Sequence, residues 1–212
     1  EKLMKEAKGD IIIIHDADWL LVTNGNFKKL IDVFRNKQIR GIAHYRAPNI
    51  SSKHSLTDLG NIFASQFLHE YKMKTLTQEV NGMRFVKDSS FPFFTDFFRK
   101  DVSKGNSVTL ADDAERTIQI MKSGYKILVH EGELPYFIDV TGSTTTFRDI
   151  FRQKTRGEVA KRQIQKHYGE YKASFFGFYL PAFFYSMKRA LSIFLGVLAY
   201  WLVGSVGSAR GR

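Results

Sequence analysis

The four consecutive isoleucines of GDIIIIHDADW, residues 9–19, place the strongest constraint on the fold. A short β-branched run that is bounded by a glycine and by aspartates is typical of a strand covered on both faces. We therefore predict a buried strand over residues 10–15. Asp16 and Asp18 follow at once, so the most apolar strand of the chain ends in two carboxylates.

The rest of the first 170 residues alternates between helix and strand patterns. Alternation of this kind is typical of an α/β layer with a largely parallel sheet. The FPFFTDFF segment is expected to fill a core or a helix face, with a shallow lipid contact as the alternative. A strand or hairpin is predicted around Gly82. The other predicted elements are helices over residues 26–35, 56–71, 112–123 and 146–168, and strands over residues 41–47 and 125–130.

Composition limits the chemistry that is open to the chain. It contains no cysteine, so a bound metal must be held by Asp, Glu, His or water. The formal net charge of +11 is concentrated near the end: residues 1–150 carry 21 Lys and Arg against 19 Asp and Glu, and residues 151–212 carry 11 against 2. That part also contains the long uncharged runs, so the charge favours a membrane-flanking segment over a nucleic-acid surface.

The two uncharged runs predict a membrane-associated region over residues 173–212. We expect an interfacial aromatic helix over residues 173–187, which contains Pro181, and a transmembrane helix over residues 190–207. The alternative is a soluble core helix. Residues 1–9 resemble the end of an amphipathic helix, and we expect the natural chain to begin earlier.

Asp16 and Asp18 are candidate ligands for Mg²⁺ or Mn²⁺. In an extended segment residues i and i+2 face the same side, so both carboxylates converge on one hard cation. Ligands of parallel α/β sheets bind beyond the carboxyl ends of the strands, which is where this pair lies in the predicted fold. The alternative is a pair of loop or helix-capping aspartates.

Two further groups of polar residues are candidates for the same site. Asp112, Asp113 and Glu115 open a predicted helix, where a fixed carboxylate can act as a general base or simply complement the helix dipole. Gln153 and Arg156 lie three residues apart on one helical face, where the guanidinium can hold phosphate oxygens. On its own this second pair is an ordinary solvated face.

These three segments, in this order, resemble the membrane-bound family 2 glycosyltransferases of the GT-A (Rossmann-like) fold. That group includes cellulose, chitin and hyaluronan synthases and many glycolipid glycosyltransferases. The resemblance covers roughly residues 1–170. AKGDIIIIHDADW is similar to the strand that ends in the D-x-D motif, LADDAERTIQIMKSGYKI to the T-E-D-x-D-L helix with its following strand, and RQKTRG to the Q-x-x-R-W motif.

The resemblance implies a division into a partial GT-A catalytic domain, residues 1–172, and the membrane-associated region, residues 173–212. It implies an inverting transfer of a sugar from a nucleotide-sugar donor to a hydroxyl of a glycan or glycolipid. The enzyme is expected in a membrane, with its catalytic domain on the cytoplasmic face. Membrane lipids are expected partners, and nucleic acid is not.

The resemblance also implies roles for the site residues. Asp113 takes the place of the catalytic base, and Asp112 takes the place of the family's Glu. Asp18 is implied as the direct ligand of Mg²⁺ or Mn²⁺, with Asp16 near the nucleotide and the metal. Gln153 and Arg156 are implied to complete the hold on the donor diphosphate and the acceptor site.

Two features depart from the family pattern. Gly157 stands where the family has Trp, so processive polymer synthesis is not implied. The family's N-terminal half, which supplies most contacts to the base and ribose, would precede Glu1. Alternatives to the hydroxyl acceptor are a polyprenyl phosphate acceptor and, in a different class, a non-catalytic membrane-tethered binding module.

The remaining candidates are given structural roles. His130 ends the strand that follows the acidic helix, and we expect a hydrogen-bonding residue there in preference to a third metal ligand. His15 lies within the first strand pattern and is expected to pack there. Tyr200 and Trp201 are expected to anchor the tail at a lipid interface and not to bind sugar.

Overall fold

The computed structural model describes most of the chain, and the statements below concern the residues that it describes. These are residues 4, 6–16, 19–23, 26–43, 46–47, 56–89, 93, 95–102, 107–130, 134–139, 146–169, 175–189 and 194–210. The chain divides into two compact units: residues 1–49 with 76–141, and residues 50–75 with 142–212. This grouping cuts the chain at different positions from the predicted division at residue 172, which stays a prediction.

A six-stranded mixed sheet forms the main layer of the first unit. Its strands are β1 (Ile11–Ile13), β3 (Ile39–Ala43), β5 (Thr77–Val80), β6 (Met83–Val86), β7 (Thr95–Arg99) and β8 (Lys126–Val129). They lie in the order β1-β7-β3-β8-β6-β5. The α/β class is therefore confirmed.

A second, three-stranded sheet lies in the same unit. Its strands are β2 (Trp19–Val22), β4 (Arg46–Ala47) and β9 (Tyr136–Asp139), in the order β2-β9-β4. Each follows a strand of the main sheet after a short connection: β2 follows β1, β4 follows β3, and β9 follows β8. The strand predicted over residues 41–47 is thus divided between the two sheets.

The prediction of a largely parallel sheet was wrong. In the described part of the main sheet only β3 and β8 pair in parallel, because β7 enters antiparallel between β1 and β3, and the β5–β6 hairpin adds two antiparallel strands. Strand β1 lies at an edge of the sheet. Ile12 is buried on one face, and Ile11 and Ile13 on the other face are half-buried against the core. The prediction of a strand covered on both faces is therefore confirmed, although one face is covered only in part. His15 follows β1 with its side chain exposed, so its predicted packing was also wrong.

The predicted hairpin and the first predicted helix are confirmed. Asn81 and Gly82 both have positive φ, as a tight two-residue hairpin turn between β5 and β6 requires. Helix α1 (Phe27–Arg35) buries Leu30 and Phe34 against the sheet. The main core also contains residues from the strands: Ile39, Ile42, Phe85, Phe97 and Leu128.

Helix α3 (Asp112–Lys122) packs closely on the middle of the sheet because Gly41 offers no side chain there. A Cβ atom at Gly41 would lie 2.8 Å from Cγ2 of Thr95 and 2.9 Å from Cδ1 of Ile120. The described residues of the FPFFTDFF segment form β7 and the residue Phe93 before it. Phe93, Phe97 and Phe98 are buried, which confirms the core prediction with a strand in place of a helix face.

The second unit consists of helices. Helix α2 (Leu56–Thr75) and helix α4 (Phe147–Tyr168) were predicted, and both pack on the last helix, α6 (Phe194–Arg210). A π-helical turn (Phe175–Tyr179) leads into α5 (Leu180–Arg189). Helix α4 begins with a capping box, in which Thr146 and Asp149 bond each other's backbone N–H, and ends at Gly169 in the left-handed conformation.

Among the described residues, no helix combines the length and the apolar character that crossing a membrane demands. Helix α6 has 17 residues, and residues 190–193 of the predicted span lie outside the described part of the chain. The transmembrane helix predicted over residues 190–207 is thus not found. Described helical structure covers residues 175–187 of the predicted interfacial helix, and its place at an interface stays a prediction.

The close contact at Gly41 predicts a large loss of stability in Gly41→Ala. The added methyl group must displace Thr95 or Ile120, which costs about 1–3 kcal/mol in a packed core. Gly157→Ala is the matched control, because nothing lies within 4 Å of a Cβ atom at that exposed helical position. The control is expected to stabilise the protein by about 0.5–1 kcal/mol. Urea denaturation measures both, and equal midpoints would contradict the packing at Gly41.

Burial in α2 lowers the pKa of His69 to about 4, and the charge of Lys72 adds to this effect. The folded state therefore favours the neutral ring. Because an unfolded histidine has a pKa of about 6.5, the unfolded state takes up the proton first as the pH falls. Folding stability is then lost between about pH 6.5 and pH 4, by up to about 3 kcal/mol.

We expect His69→Gln to remove this part of the pH dependence. The free energy of unfolding of both proteins is measured by urea titration at about pH 7 and about pH 4, on either side of the ordinary histidine range. Carboxylates titrate in both proteins, so their contribution cancels in the difference. The natural chain should lose more stability than the variant, and equal losses would show that His69 is not neutral in the folded state.

Candidate functional site

The ends of three strands define the site, which we call the carboxyl edge of the main sheet. Strand β1 is antiparallel to β7, β7 is antiparallel to β3, and β3 is parallel to β8. Strands β1, β3 and β8 therefore run in one direction and end at one edge, where β7 begins. The carboxyl edge comprises Ile14–Asp16 after β1, Ala43 of β3, His130 after β8, and Phe93, Thr95 and Asp96 at the start of β7.

Asp16 lies at this edge, directly after β1. The Ile14 N–H donates to the Asp96 carbonyl at 2.9 Å, so the end of β1 is held against the start of β7. The Asp16 side chain is exposed. The backbone carbonyl of Asp16 accepts a hydrogen bond from the Trp19 N–H at 3.2 Å, where the chain turns into β2. Asp18, the predicted direct metal ligand, lies outside the described residues.

The first turn of α3 carries the second acidic group. Asp112, Asp113 and Glu115 all fall there, where the helix dipole favours negative charge. Asp112 exposes 56% of its side chain. Asp113 is half-buried, and its Oδ1 accepts from the Ala114 N–H at 2.7 Å.

Buried hydrogen bonds fasten α3 to the start of β7. The Thr95 and Thr117 hydroxyls bond each other at 2.9 Å, and Thr117 donates to the Phe93 carbonyl at 2.9 Å. Arg116 donates from Nε to the Thr95 carbonyl at 2.9 Å. Thr95, which bonds both Arg116 and Thr117 of α3, is therefore the neighbour of Asp96, which holds the end of β1. Asp16 and the acidic turn of α3 consequently meet the sheet at the same edge.

Glu115 differs from its two acidic neighbours in its contacts. It is 1% exposed, and its carboxylate accepts hydrogen bonds from the segment that leads into α3. The donors are the Ser107 hydroxyl at 2.7 Å, the Val108 N–H at 3.0 Å, and the Thr109 N–H and hydroxyl at 3.1 Å each. Gln119 donates at 3.3 Å from the following turn. Glu115 thus fixes the approach to α3, and its oxygens are occupied.

Arg116 is a site residue that the sequence reasoning missed. Its guanidinium is buried, lies 4.8 Å from the Phe98 ring centroid, and bonds Asp112 at 3.3 Å from Nη2. The buried Asp96 carboxylate lies 4.0 Å from the same Nη2 atom. The available signal was the Thr95-Asp96 pair inside an otherwise aromatic run, because buried polar residues require partners.

Gln153 and Arg156 lie on α4, in the second unit. Both side chains are exposed and, three residues apart, they share a helical face. That Gln153 and Arg156 contribute to the same site as the carboxyl edge stays a prediction.

His130 has a structural hydrogen bond, as expected. Its Nε2 donates to the Leu134 carbonyl at 2.7 Å, and its ring stacks edge-on against Tyr136. Its backbone N–H donates to Ala43, which ties the ends of β8 and β3 together. The bond to Leu134 fixes the direction of the ring at the carboxyl edge.

The donor atoms at the carboxyl edge suit a hard cation. Within the part of the chain that the structure describes, no three Asp, Glu or His side chains gather closely enough to enclose a metal ion. Mg²⁺ commonly binds proteins through one or two carboxylates and takes its other ligands from water and substrate phosphates. The exposed Asp16 carboxylate, with Asp18 two residues on, fits that kind of open site.

Comparison with known proteins gives no further assignment. No protein-family model matches this chain, and no curated protein matches it.

The contacts of Glu115 predict that Glu115→Gln is strongly destabilising. The amide group turns an NH₂ toward backbone N–H donors, which leaves buried donors without acceptors at a cost of about 1–3 kcal/mol. Glu79→Gln is the matched control for the change of a carboxylate to an amide, because Glu79 is exposed on β5 and surface substitutions usually change stability by at most about 0.5 kcal/mol. The free energy of unfolding of both variants is measured by urea titration. If the control loses as much stability as Glu115→Gln, the contacts of Glu115 are not the cause.

Proposed function

We propose that this protein is an inverting, membrane-associated glycosyltransferase of the GT-A kind, related to family 2. It transfers a sugar from a nucleotide-sugar donor to a hydroxyl group of a glycan or glycolipid. Its catalytic unit works at the cytoplasmic face of a membrane. The proposal rests on the resemblance of the three polar segments to that family.

One structural observation supports it most. Asp16 and the Asp112–Asp113 turn are about a hundred residues apart in sequence, and both meet the main sheet at its carboxyl edge. A metal-binding carboxylate and a general base must work on the two sides of one reacting sugar, which requires such an arrangement. Because its contacts occupy the Glu115 carboxylate, Glu115 is not a candidate for the general base. Asp112 and Asp113 remain as the candidates.

Asp113 is the proposed general base. It accepts the proton of the acceptor hydroxyl while that oxygen bonds to the anomeric carbon, and the bond from that carbon to the nucleoside diphosphate breaks. Attack from the face opposite the leaving group inverts the configuration. The Ala114 N–H fixes one carboxylate oxygen of Asp113 at 2.7 Å, so that the position of the base is set before the acceptor arrives.

Asp16 and Asp18 are proposed to hold Mg²⁺ or Mn²⁺. When bound, the cation stabilises the negative charge that grows on the diphosphate leaving group. Asp112 lies beside the base with its carboxylate held by Arg116, and is proposed to line the donor and acceptor site. Gln153 and Arg156 are proposed to complete the hold on the diphosphate, since an arginine fork matches phosphate oxygens.

The acceptor class separates this proposal from its nearest alternative. A polyprenyl phosphate acceptor is already an anion and requires little help from a base, whereas a hydroxyl acceptor requires deprotonation. Asp113→Asn should therefore lower turnover with a hydroxyl acceptor by roughly 10²–10⁴-fold and leave turnover with a phosphate acceptor nearly unchanged. Asp88→Asn, on a loop after β6, is the matched control for the loss of one carboxylate.

Release of nucleoside diphosphate measures both reactions, with a panel of nucleotide sugars as donors. Full activity of Asp113→Asn with a hydroxyl acceptor would remove the assignment of the base. Activity confined to polyprenyl phosphate would establish the alternative acceptor.

The rival from another class is a non-catalytic, membrane-tethered binding module whose acidic residues are surface features. Titration with Mn²⁺, followed by its electron paramagnetic resonance signal, distinguishes the two. The natural chain should bind Mn²⁺, and the combined substitution Asp16→Ala with Asp18→Ala should abolish binding. An unchanged titration in this variant would favour the binding module.

A further inference from the structure

Arg116 lies buried between two carboxylates at the carboxyl edge. The side chains of Arg116 and Asp96 are 6% and 5% exposed, whereas that of Asp112 is 56% exposed. The Arg116 Nη2 atom donates to the Asp112 carboxylate at 3.3 Å and lies 4.0 Å from the Asp96 carboxylate. The Nε atom of the same side chain donates to the Thr95 carbonyl at 2.9 Å. One guanidinium therefore joins the start of β7 to the first turn of α3.

Stability does not account for an arginine at this position. Removal of a guanidinium from water costs free energy that a buried ion pair often fails to recover, and apolar residues of similar size in its place are commonly neutral or stabilising. When Asp112 and Asp113 are matched to the Glu and Asp of the T-E-D-x-D-L motif, Arg116 falls on its leucine. The charge and the donors of Arg116 are therefore the features that require an explanation.

Arg116 fixes the exposed carboxylate of Asp112 from its buried side. The guanidinium has little freedom of its own, because its central carbon lies 4.8 Å from the centroid of the Phe98 ring and its Nε atom is bonded to a backbone carbonyl. A planar guanidinium presents its donors in fixed directions. Asp112 immediately precedes Asp113, the proposed general base. Arg116 thus sets the direction of an exposed carboxylate beside the base.

The end of β1 is held without the Arg116 side chain. The Ile14 N–H donates to the backbone carbonyl of Asp96 at 2.9 Å, and this bond joins two main chains. Asp16 follows two residues after Ile14. A change of the Arg116 side chain is therefore expected to release Asp112 and to leave the proposed cation ligands in place.

We propose that Arg116 is a positioning residue for the sugar transfer, which acts by holding the Asp112 carboxylate in the donor and acceptor site beside Asp113. The buried Asp96 carboxylate, 4.0 Å away, balances the charge of the guanidinium. This inference rests on the proposed function and adds to it a residue that the T-E-D-x-D-L motif does not contain. Arg116 and Asp112 then act as one unit in turnover.

Arg40 provides a matched control at the other end of the sheet. Its side chain is 11% exposed and lies 3.4 Å from the carboxylate of Asp101, which is 53% exposed. Its guanidinium carbon lies 4.8 Å from the centroid of the Tyr125 ring. Arg40 therefore has the same kinds of neighbour as Arg116. It lies near the beginning of β3, whereas the carboxyl edge is where β3 ends.

A double-mutant cycle tests whether Arg116 and Asp112 act as one unit. Arg116→Met is combined with Asp96→Asn, because removal of one buried charge alone leaves the other uncompensated. This paired variant, Asp112→Ala and the combination of all three changes are compared with the natural chain. A panel of uridine and guanosine diphosphate sugars supplies the donors, octyl glucoside supplies the acceptor hydroxyl, and the release of nucleoside diphosphate is measured.

The paired variant should lower kcat by roughly 10–10²-fold, since small misplacements in a site are costly, and should leave KM for the donor nearly unchanged. In the Asp112→Ala background the same changes should lower kcat by less than about twofold. Arg116→Lys, which keeps the charge and loses the fork, should recover part of kcat. Arg40→Met should leave kcat unchanged. The affinity for Mn²⁺, followed by its electron paramagnetic resonance signal, should be equal in all variants.

Urea titration first establishes that each variant is folded under the assay conditions. If the paired variant is not, Arg116→Lys takes its place in the cycle, with the same expected non-additivity. Additive losses of kcat, full activity of Asp112→Ala, or an equal loss in Arg40→Met would each overturn the inference and leave the proposed function standing. Mn²⁺ affinity that falls together with kcat would also overturn it, because Arg116 would then support the whole site. Absence of nucleoside diphosphate release by the natural chain would overturn the proposed function, and this inference with it.

Discussion

The hydrogen bonds between the start of β7 and helix α3 hold the proposed site together. Thr95 bonds Thr117 through its hydroxyl and Arg116 through its carbonyl, while the next residue, Asp96, bonds the end of β1 through its carbonyl. Two consecutive residues of one strand thus position both acidic segments. Because these polar groups are buried, their loss leaves unsatisfied donors and acceptors, and the arrangement is rigid for that reason.

The three carboxylates in the first turn of α3 have different roles. Glu115 is enclosed by five donor groups and shapes the chain that enters the helix. Asp112 is paired with Arg116 and faces solvent, and Asp113 is fixed by the Ala114 N–H. Carboxylates so close together avoid mutual repulsion because each has its own donors. A motif of three acids therefore supplies two accessible groups and one structural group.

Local signals predicted the helices and the hairpin, and long-range pairing limited the rest. The Thr146 and Asp149 capping box, Gly169 and the Asn81-Gly82 turn act within a few residues, so the sequence alone reveals them. The isoleucine run predicted a strand correctly but not its edge position, because its hydrophobicity does not specify a pairing partner. The burial of Arg116 was signalled only indirectly, by the Thr95-Asp96 pair, since a charged residue within a helix usually faces water. Helix α2 carries no local sign that it packs on α6.

Because β1 lies at an edge of the sheet, the aspartates that flank it also protect the strand against aggregation. No described strand pairs with the outer side of β1, so its amide and carbonyl groups there are open to any strand that approaches, which is how ordered aggregates begin. Exposed Asp10 and Asp16 stand at the two ends of the run, where charge discourages such stacking. The solubility of this edge and the proposed binding of a cation therefore rest on the same carboxylate at Asp16, and inactivity after its removal signifies lost chemistry only where the protein stays monomeric.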